Sequence, residues 1–162
     1  MSLLDMVSGL SQAGVRSVVI GGLAARAHGS TRITEDLDVC YDASPDNVRR
    51  LAQVLASWNA YLRGVEPGLP FVMDERMLRN TPVMTLVTDR GAIDIMDVVA
   101  GVGTYRDVLA ASIEVMADRL AFRALDLPGL LAAKRAARRP RDLEQIPELE
   151  ALLEMRNRMR PG

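Results

Sequence analysis

Val18-Val19-Ile20-Gly21-Gly22-Leu23-Ala24-Ala25-Arg26-Ala27-His28-Gly29-Ser30-Thr31-Arg32-Ile33-Thr34-Glu35-Asp36-Leu37-Asp38-Val39 is the stretch that decides the architecture of this chain. Val15 to Ile20 is short and rich in β-branched residues, and reads as a buried strand. Two glycines follow it. Leu23 to His28 is alanine-rich and helix-prone, and it closes at Gly29. Ser30 to Thr34 reads as loop, and Glu35 to Tyr41 as a second strand. Side chains alternate across a strand, so Asp36 and Asp38 share one face while Leu37 and Val39 take the other.

The flanking segments supply the rest of the fold. Ser2 can cap a first helix, with Leu3, Leu4, Val7 and Leu10 at helical spacing, and Gly14 ends it. Ser44-Pro45 opens a helix that carries Val48, Leu51, Ala52, Leu55 and Trp58 on one face. Gly64 to Pro70 reads as loop. Val83 to Thr88 and Ala92 to Val99 read as a hairpin joined by Asp89-Arg90-Gly91. Thr104 opens a helix through Ala111. Ile113 to Met116 and Leu120 to Leu125 suggest a small hairpin around Ala117-Asp118-Arg119. Asp126 and Pro128 start a helix through Arg138, and Pro140 separates it from a last helix over Arg141 to Met155. The reading is an α+β fold, a mixed β-sheet flanked by helices with a C-terminal helical segment. Residues 1–104 form the core and residues 105–162 a small, mostly helical cap.

Composition narrows the classes. The chain has 162 residues, 49% of them hydrophobic and 25% charged, which suits one folded domain. Aromatic residues make up 4%, too few for a base-stacking surface. The net charge of −1 gives no global field for nucleic acid. One cysteine, Cys40, excludes an intrachain disulfide and a cysteine-based zinc site. The N-terminus lacks a basic region before its apolar run, and no apolar stretch is long enough to span a membrane. A cytoplasmic protein without a membrane partner is the expectation.

Two carboxylates one pleat apart repel each other, and a divalent cation can offset that repulsion. Hard oxygen ligands suit Mg2+ or Mn2+. The plain alternative is an exposed Asp-x-Asp at a sheet edge. In Ile93-Asp94-Ile95-Met96-Asp97, the two isoleucines share a face and leave Asp94 on the other. Asp94 is therefore the third carboxylate, and Asp97 reads as a strand-end residue. Two-metal chemistry needs such a trio. Gly21 and Gly22 stand between a strand and a helix, where backbone amides can cradle phosphate. Alone they would be an ordinary tight turn, and neither a Walker motif nor a dinucleotide fingerprint is present. Arg32 and Lys134 are the cations placed to neutralise a triphosphate. The alternative for Lys134 is a solvated basic face shared with Arg135, Arg138, Arg139 and Arg141. His28 reads as a capping or packing residue, Cys40 as a small filler, and the tail from Arg156 to Arg160 as a solvated end.

The run Ile20-Gly21-Gly22, thirteen intervening residues, then Asp36-Leu37-Asp38-Val39 resembles the signature of the DNA polymerase β-like nucleotidyltransferase superfamily. Arg32-Ile33-Thr34 before the aspartates is similar to the bacterial branch that contains AbiEii-type toxins and stand-alone nucleotidyltransferases. Lys134, followed by Arg139-Pro140-Arg141-Asp142-Leu143, is similar to a later element of that branch. The resemblance implies transfer of a nucleoside monophosphate from an NTP, ATP foremost, with release of pyrophosphate. It implies Mg2+ or Mn2+ on Asp36, Asp38 and Asp94, with Gly21, Gly22, Arg32 and Lys134 on the nucleotide. The acceptor it implies is a hydroxyl on RNA (a tRNA), a protein or a small molecule, and an antitoxin is the implied partner chain. Two alternatives stay open: an inactive binding partner of the same fold, and a kinase-like phosphotransferase.

Overall fold

In the computed structural model, residues 2–66 and 68–159 are described. Pro67 in the expected loop and Arg160 in the expected basic tail lie outside them. The order is α1 (Leu3–Gln12), β1 (Ser17–Ile20), α2 (Gly21–Ala27), β2 (Asp36–Tyr41), α3 (Pro45–Ser57), β3 (Tyr61–Leu62), α4 (Glu75–Asn80), β4 (Val83–Thr88), β5 (Gly91–Met96), β6 (Val98–Val99), β7 (Gly103–Thr104), α5 (Tyr105–Ala110), β8 (Ser112–Ala117), β9 (Leu120–Leu125), α6 (Leu127–Ala137) and α7 (Pro140–Met159).

The α+β reading holds. Seven strands form one mixed sheet in the order β3-β4-β5-β2-β1-β9-β8, and β6 and β7 make a separate ribbon. β1 runs antiparallel to β2, while β2 and β5 run parallel, as do β1 and β9. β1 is an interior strand, so Val18, Val19 and Ile20 are all buried. One face of the next strands is wholly inside: Leu37 and Val39 of β2, Leu86 of β4, and Ile93 and Ile95 of β5 have no exposed surface. Alternation therefore turns Asp36, Asp38 and Asp94 to the opposite face.

Local chemistry explains the helices. Ser2 and Asp5 form a reciprocal capping box at α1. The Asp126 carboxylate caps α6 through the amide of Gly129 at 2.7 Å. Ser44 stands at the N-cap of α3, but its hydroxyl accepts from Arg16 instead of a helix amide. The Asn47 side chain, fully buried, accepts from the Arg16 amide at 2.6 Å and donates to the carbonyls of Arg16 and Asp42. It ties α3 to the strand ends.

Several expectations need revision. The sheet runs across the expected boundary at residues 104 and 105, because β9 pairs with β1 beyond it. The second hairpin strand stops at Met96 rather than Val99. There the Asp97 amide bonds the carbonyl of Pro82, and the chain turns into the β6–β7 ribbon. α2 begins at Gly21 rather than Leu23. α7 spans Pro140–Met159, longer than expected and with Pro147 inside it. β3 and α4 were read as loop. Each is too short to carry a periodic pattern, and α4 is started by the Asp74 carboxylate accepting from the Met77 amide. Among the described residues no helix is long and apolar enough to cross a membrane.

Candidate active site

The register of β2 against β5 brings the carboxylates together. Asp38 stands directly opposite Asp94, and Asp36 opposite Ala92, one pleat away. On the far side of β5, Thr85 of β4 is the partner of Asp94. Gly21 and Gly22 lie against the same carboxylates from the β1 side. A Cβ on Gly21 would overlap the Asp38 carboxylate, and the residue adopts φ +66°. A Cβ on Gly22 would lie 2.6 Å from Thr34 Oγ1. The first glycine is thus required by the close approach of Asp38, a tighter constraint than a turn alone imposes.

These groups line a cleft of about 800 Å³. Lys134 of α6, with Arg139, Arg141 and Asp142 at the junction with α7, forms one end. Val83, Thr85, Met96 and Val99 form the other. Five expected site residues besides Asp94 therefore share one cleft: Gly21, Gly22, Asp36, Asp38 and Lys134. Arg32 does not line it. Arg32 is exposed, its guanidinium donates to the carbonyl of Glu144 at 3.2 Å, and the adjacent Ser30 hydroxyl bonds Glu148. Arg32 straps the Ser30–Thr34 loop to α7.

The carboxylates are not equivalent. Burial pushes the Asp38 carboxyl up, and the hydrogen bond and charge of Asp94 and the charge of Asp36 push it further, to about 7; Lys134 acts in the opposite sense. A guanidinium that sequence reading missed crosses the other two. Arg63, just after β3, reaches Asp36 Oδ2 at 3.3 Å and Asp94 Oδ1 at 3.0 Å. Nothing in its sequence neighbourhood signals this role, since an edge strand of two residues sets its position.

The expected metal cluster is therefore not assembled as it stands. Among the described residues no group of three or more Asp, Glu, His or Cys side chains is gathered to hold an ion. Arg63 separates Asp36 from Asp94, and Asp38 and Asp94 hydrogen-bond to each other. The donor chemistry nonetheless fits a hard divalent cation. Three carboxylates face one space, and Asp38 holds its proton to near neutrality for want of a counter-charge.

Lys134 is not part of a solvated face. Its Nζ bonds Asp142 Oδ1 at 3.1 Å, and Arg139 Nε bonds Asp142 Oδ2 at 2.8 Å. Asp142 has no exposed surface. Burial raises its carboxyl, but the bonds from Arg139 and Lys134 outweigh that and hold it below the usual carboxylate range. Asp142 aims Lys134 into the cleft; the Arg-x-x-Asp-Leu element was the only signal of it in the sequence. Asp142→Ala is expected to cost about 3 kcal/mol, the low end for opening a buried ion pair because Arg139 is well exposed. Chemical denaturation checks this, and a loss under about 0.5 kcal/mol would rule it out.

His28 and Cys40 stay outside the chemistry, as expected. His28 Nε2 donates to the carbonyl of Leu125 at 2.9 Å, and burial lowers its pKa. Burial and the charge of Asp97 push the Cys40 thiol up to about 12. Asp97 lies past the end of β5, as expected.

The sequence matches no family model and no curated protein. Among solved structures, the lincomycin-bound lincosamide antibiotic adenylyltransferase LnuA matches with a TM-score of 0.61 at 14% identity, over 93% of this chain and 95% of its own. A Thermotoga maritima protein described as a nucleotidyltransferase aligns over 98% and 96% at 14% identity, but with a TM-score of 0.49, too low to argue from. At such identity the likeness is one of fold: this chain has the architecture of a nucleotidyltransferase, a mixed sheet flanked by helices.

Proposed function

We propose that the chain is a metal-dependent nucleotidyltransferase that moves a nucleoside monophosphate from an NTP, ATP foremost, onto a hydroxyl acceptor. The observation that carries this is the set of Asp36, Asp38 and Asp94 on one sheet face, with Gly21 abutting Asp38 and Lys134 across the cleft. The acceptor oxygen attacks the α-phosphorus, the bond to the β-phosphate bridging oxygen breaks, and pyrophosphate leaves. Asp94 lies towards the Thr85 side and takes the proton of the attacking hydroxyl. Asp36 and Asp38 would hold Mg2+ or Mn2+ with Asp94. When bound, the cation supplies charge stabilisation at the phosphates and a more acidic acceptor hydroxyl. Lys134, aimed by Asp142, and the first-turn amides at Gly21 and Gly22 offset the triphosphate charge. Arg32 is assigned to holding the loop beside the site.

A small hydroxyl-bearing molecule is the favoured acceptor. The cleft volume of about 800 Å³ falls in the range of small-molecule pockets, and its Thr85 end carries the apolar Val83, Met96 and Val99. The solved structure of like fold holds lincomycin. A net charge of −1 and few aromatics weigh against RNA. The toxin-like branch, with a tRNA or protein acceptor and an antitoxin partner, remains the competing assignment of substrate. The guanidinium between Asp36 and Asp94 favours a second reading, an inactive binding partner of the same fold.

ATP labelled at the α- or the γ-phosphate separates these readings. Transfer of α-label to an added hydroxyl compound, lost in Asp94→Asn by at least about a hundredfold, is the expected result. Transfer of γ-label instead would make the chain a phosphotransferase. Mg2+-dependent ATP binding that survives Asp36→Asn and Asp94→Asn unchanged would leave only the binding partner.

A further inference from the structure

Arg63 is the one side chain that touches two of the three carboxylates, and it does so as a cation. Its Nη1 stands 3.3 Å from Asp36 Oδ2 and its Nη2 3.0 Å from Asp94 Oδ1, one nitrogen to each residue. A guanidinium fork can span two carboxylates in this way; an ammonium cannot. The same oxygens are the ones a divalent cation would need. Arg63 is not locked in place: its side chain is 33% exposed, against 24% for that of Asp94. Only its amide is pinned to the sheet, donating to the carbonyl of Thr85 at 3.0 Å. Gly64 follows at φ +77° with nothing near its Cβ position, and the segment beyond exposes Leu69 and Val72. The base is held while the head is free to swing.

We infer that Arg63 is a resident counter-ion that competes with the divalent cation for Asp36 and Asp94, so that the cation enters together with the nucleotide rather than ahead of it. Without nucleotide, a metal must displace the guanidinium into water. With nucleotide, the triphosphate offers that guanidinium a new anionic partner, and the competition is relieved. Arg63 is thus a positioning residue: it keeps three converging carboxylates apart from one another's charge until substrate arrives. The inference rests on the metal-dependent reading above.

Mn2+ binding tests it, followed through the free-ion electron paramagnetic resonance signal with no nucleotide present. Arg63→Gln is expected to bind Mn2+ about tenfold more tightly than the parent protein, a change of about 1.4 kcal/mol. Arg63→Lys, which keeps the charge but not the fork, should fall between the two. With a non-hydrolysable ATP analogue present, the gap between parent and Arg63→Gln should shrink to less than about threefold. Asp94→Asn serves as the reference for the site itself. If Asp94→Asn weakens Mn2+ binding but Arg63→Gln binds no more tightly than the parent, the counter-ion role is wrong and the metal site stands. A purely structural Arg63 would show the same unchanged Mn2+ affinity together with a lowered melting temperature. If no variant binds Mn2+, or Asp94→Asn binds as well as the parent, the metal-dependent reading falls and takes this inference with it.

Discussion

Asp38→Asn is expected to lose nucleotide transfer by at least about a thousandfold while making the metal-free protein more stable at pH 8. The loss corresponds to about 4 kcal/mol of transition-state stabilisation, the scale of a charge aimed at the reacting phosphate. The gain follows from linkage. An unfolded aspartate ionises near 3.9. In the folded protein, burial first, then Asp94 and Asp36, raise the Asp38 carboxyl to about 7. Between those values the folded state holds the extra proton, so raising the pH across that window destabilises it. Above about 7 the full cost of an ionised, buried Asp38 is present. Asparagine removes that cost and keeps the shape. The stabilisation by Asp38→Asn should therefore be larger at pH 8 than at pH 5, by about 2–3 kcal/mol. Urea titrations at both values measure it. A stabilisation that is absent, or larger at pH 5, would show that the Asp38 environment is read wrongly.

Gly21→Ala is the second large effect. A left-handed backbone at φ +66° costs an L-residue about 1–2 kcal/mol, and the new methyl must also push the Asp38 carboxylate aside. The sum is about 2–4 kcal/mol of stability. Activity should fall about a hundredfold beyond what unfolding explains, because the displaced group is a reacting-site carboxylate. Gly22→Ala is the informative companion. It has no positive φ, and its neighbour is the side chain of Thr34. It should be milder in both respects. If the two variants behave alike, the contact between Gly21 and Asp38 is not what demands glycine there.

The strand pair at the heart of the site was legible because its two faces differ chemically. Leu37 and Val39 must go inside, so the parity of Asp36 and Asp38 follows, and the isoleucines of β5 fix Asp94 by the same rule. Both main hairpins were legible from their short polar turns. At the second, Asp118 and Arg119 adopt the positive φ that such turns require. What was not legible depends on chain segments far apart. The short β3 strand gives no pattern, yet its position brings Arg63 over Asp36 and Asp94. Asp142 sits in a run of charges that reads as solvent-facing, and only the packing of α7 along α6 shows it to be buried. Arg32 matched a motif, but a motif does not say whether a side chain turns to the cleft or to α7.

The parallel pairing of β1 with β9 joins Val19 to Ala124, about a hundred residues later in the chain. During synthesis, β1 and β2 can pair early and set Gly21 against Asp38, but β1 then waits with one hydrogen-bonding edge bare. That edge is apolar on both sides and uncharged, the kind of strand that recruits other chains. The last third of the protein is therefore a closing element for nascent molecules: fragments ending before Leu120 should aggregate even though they carry all three aspartates.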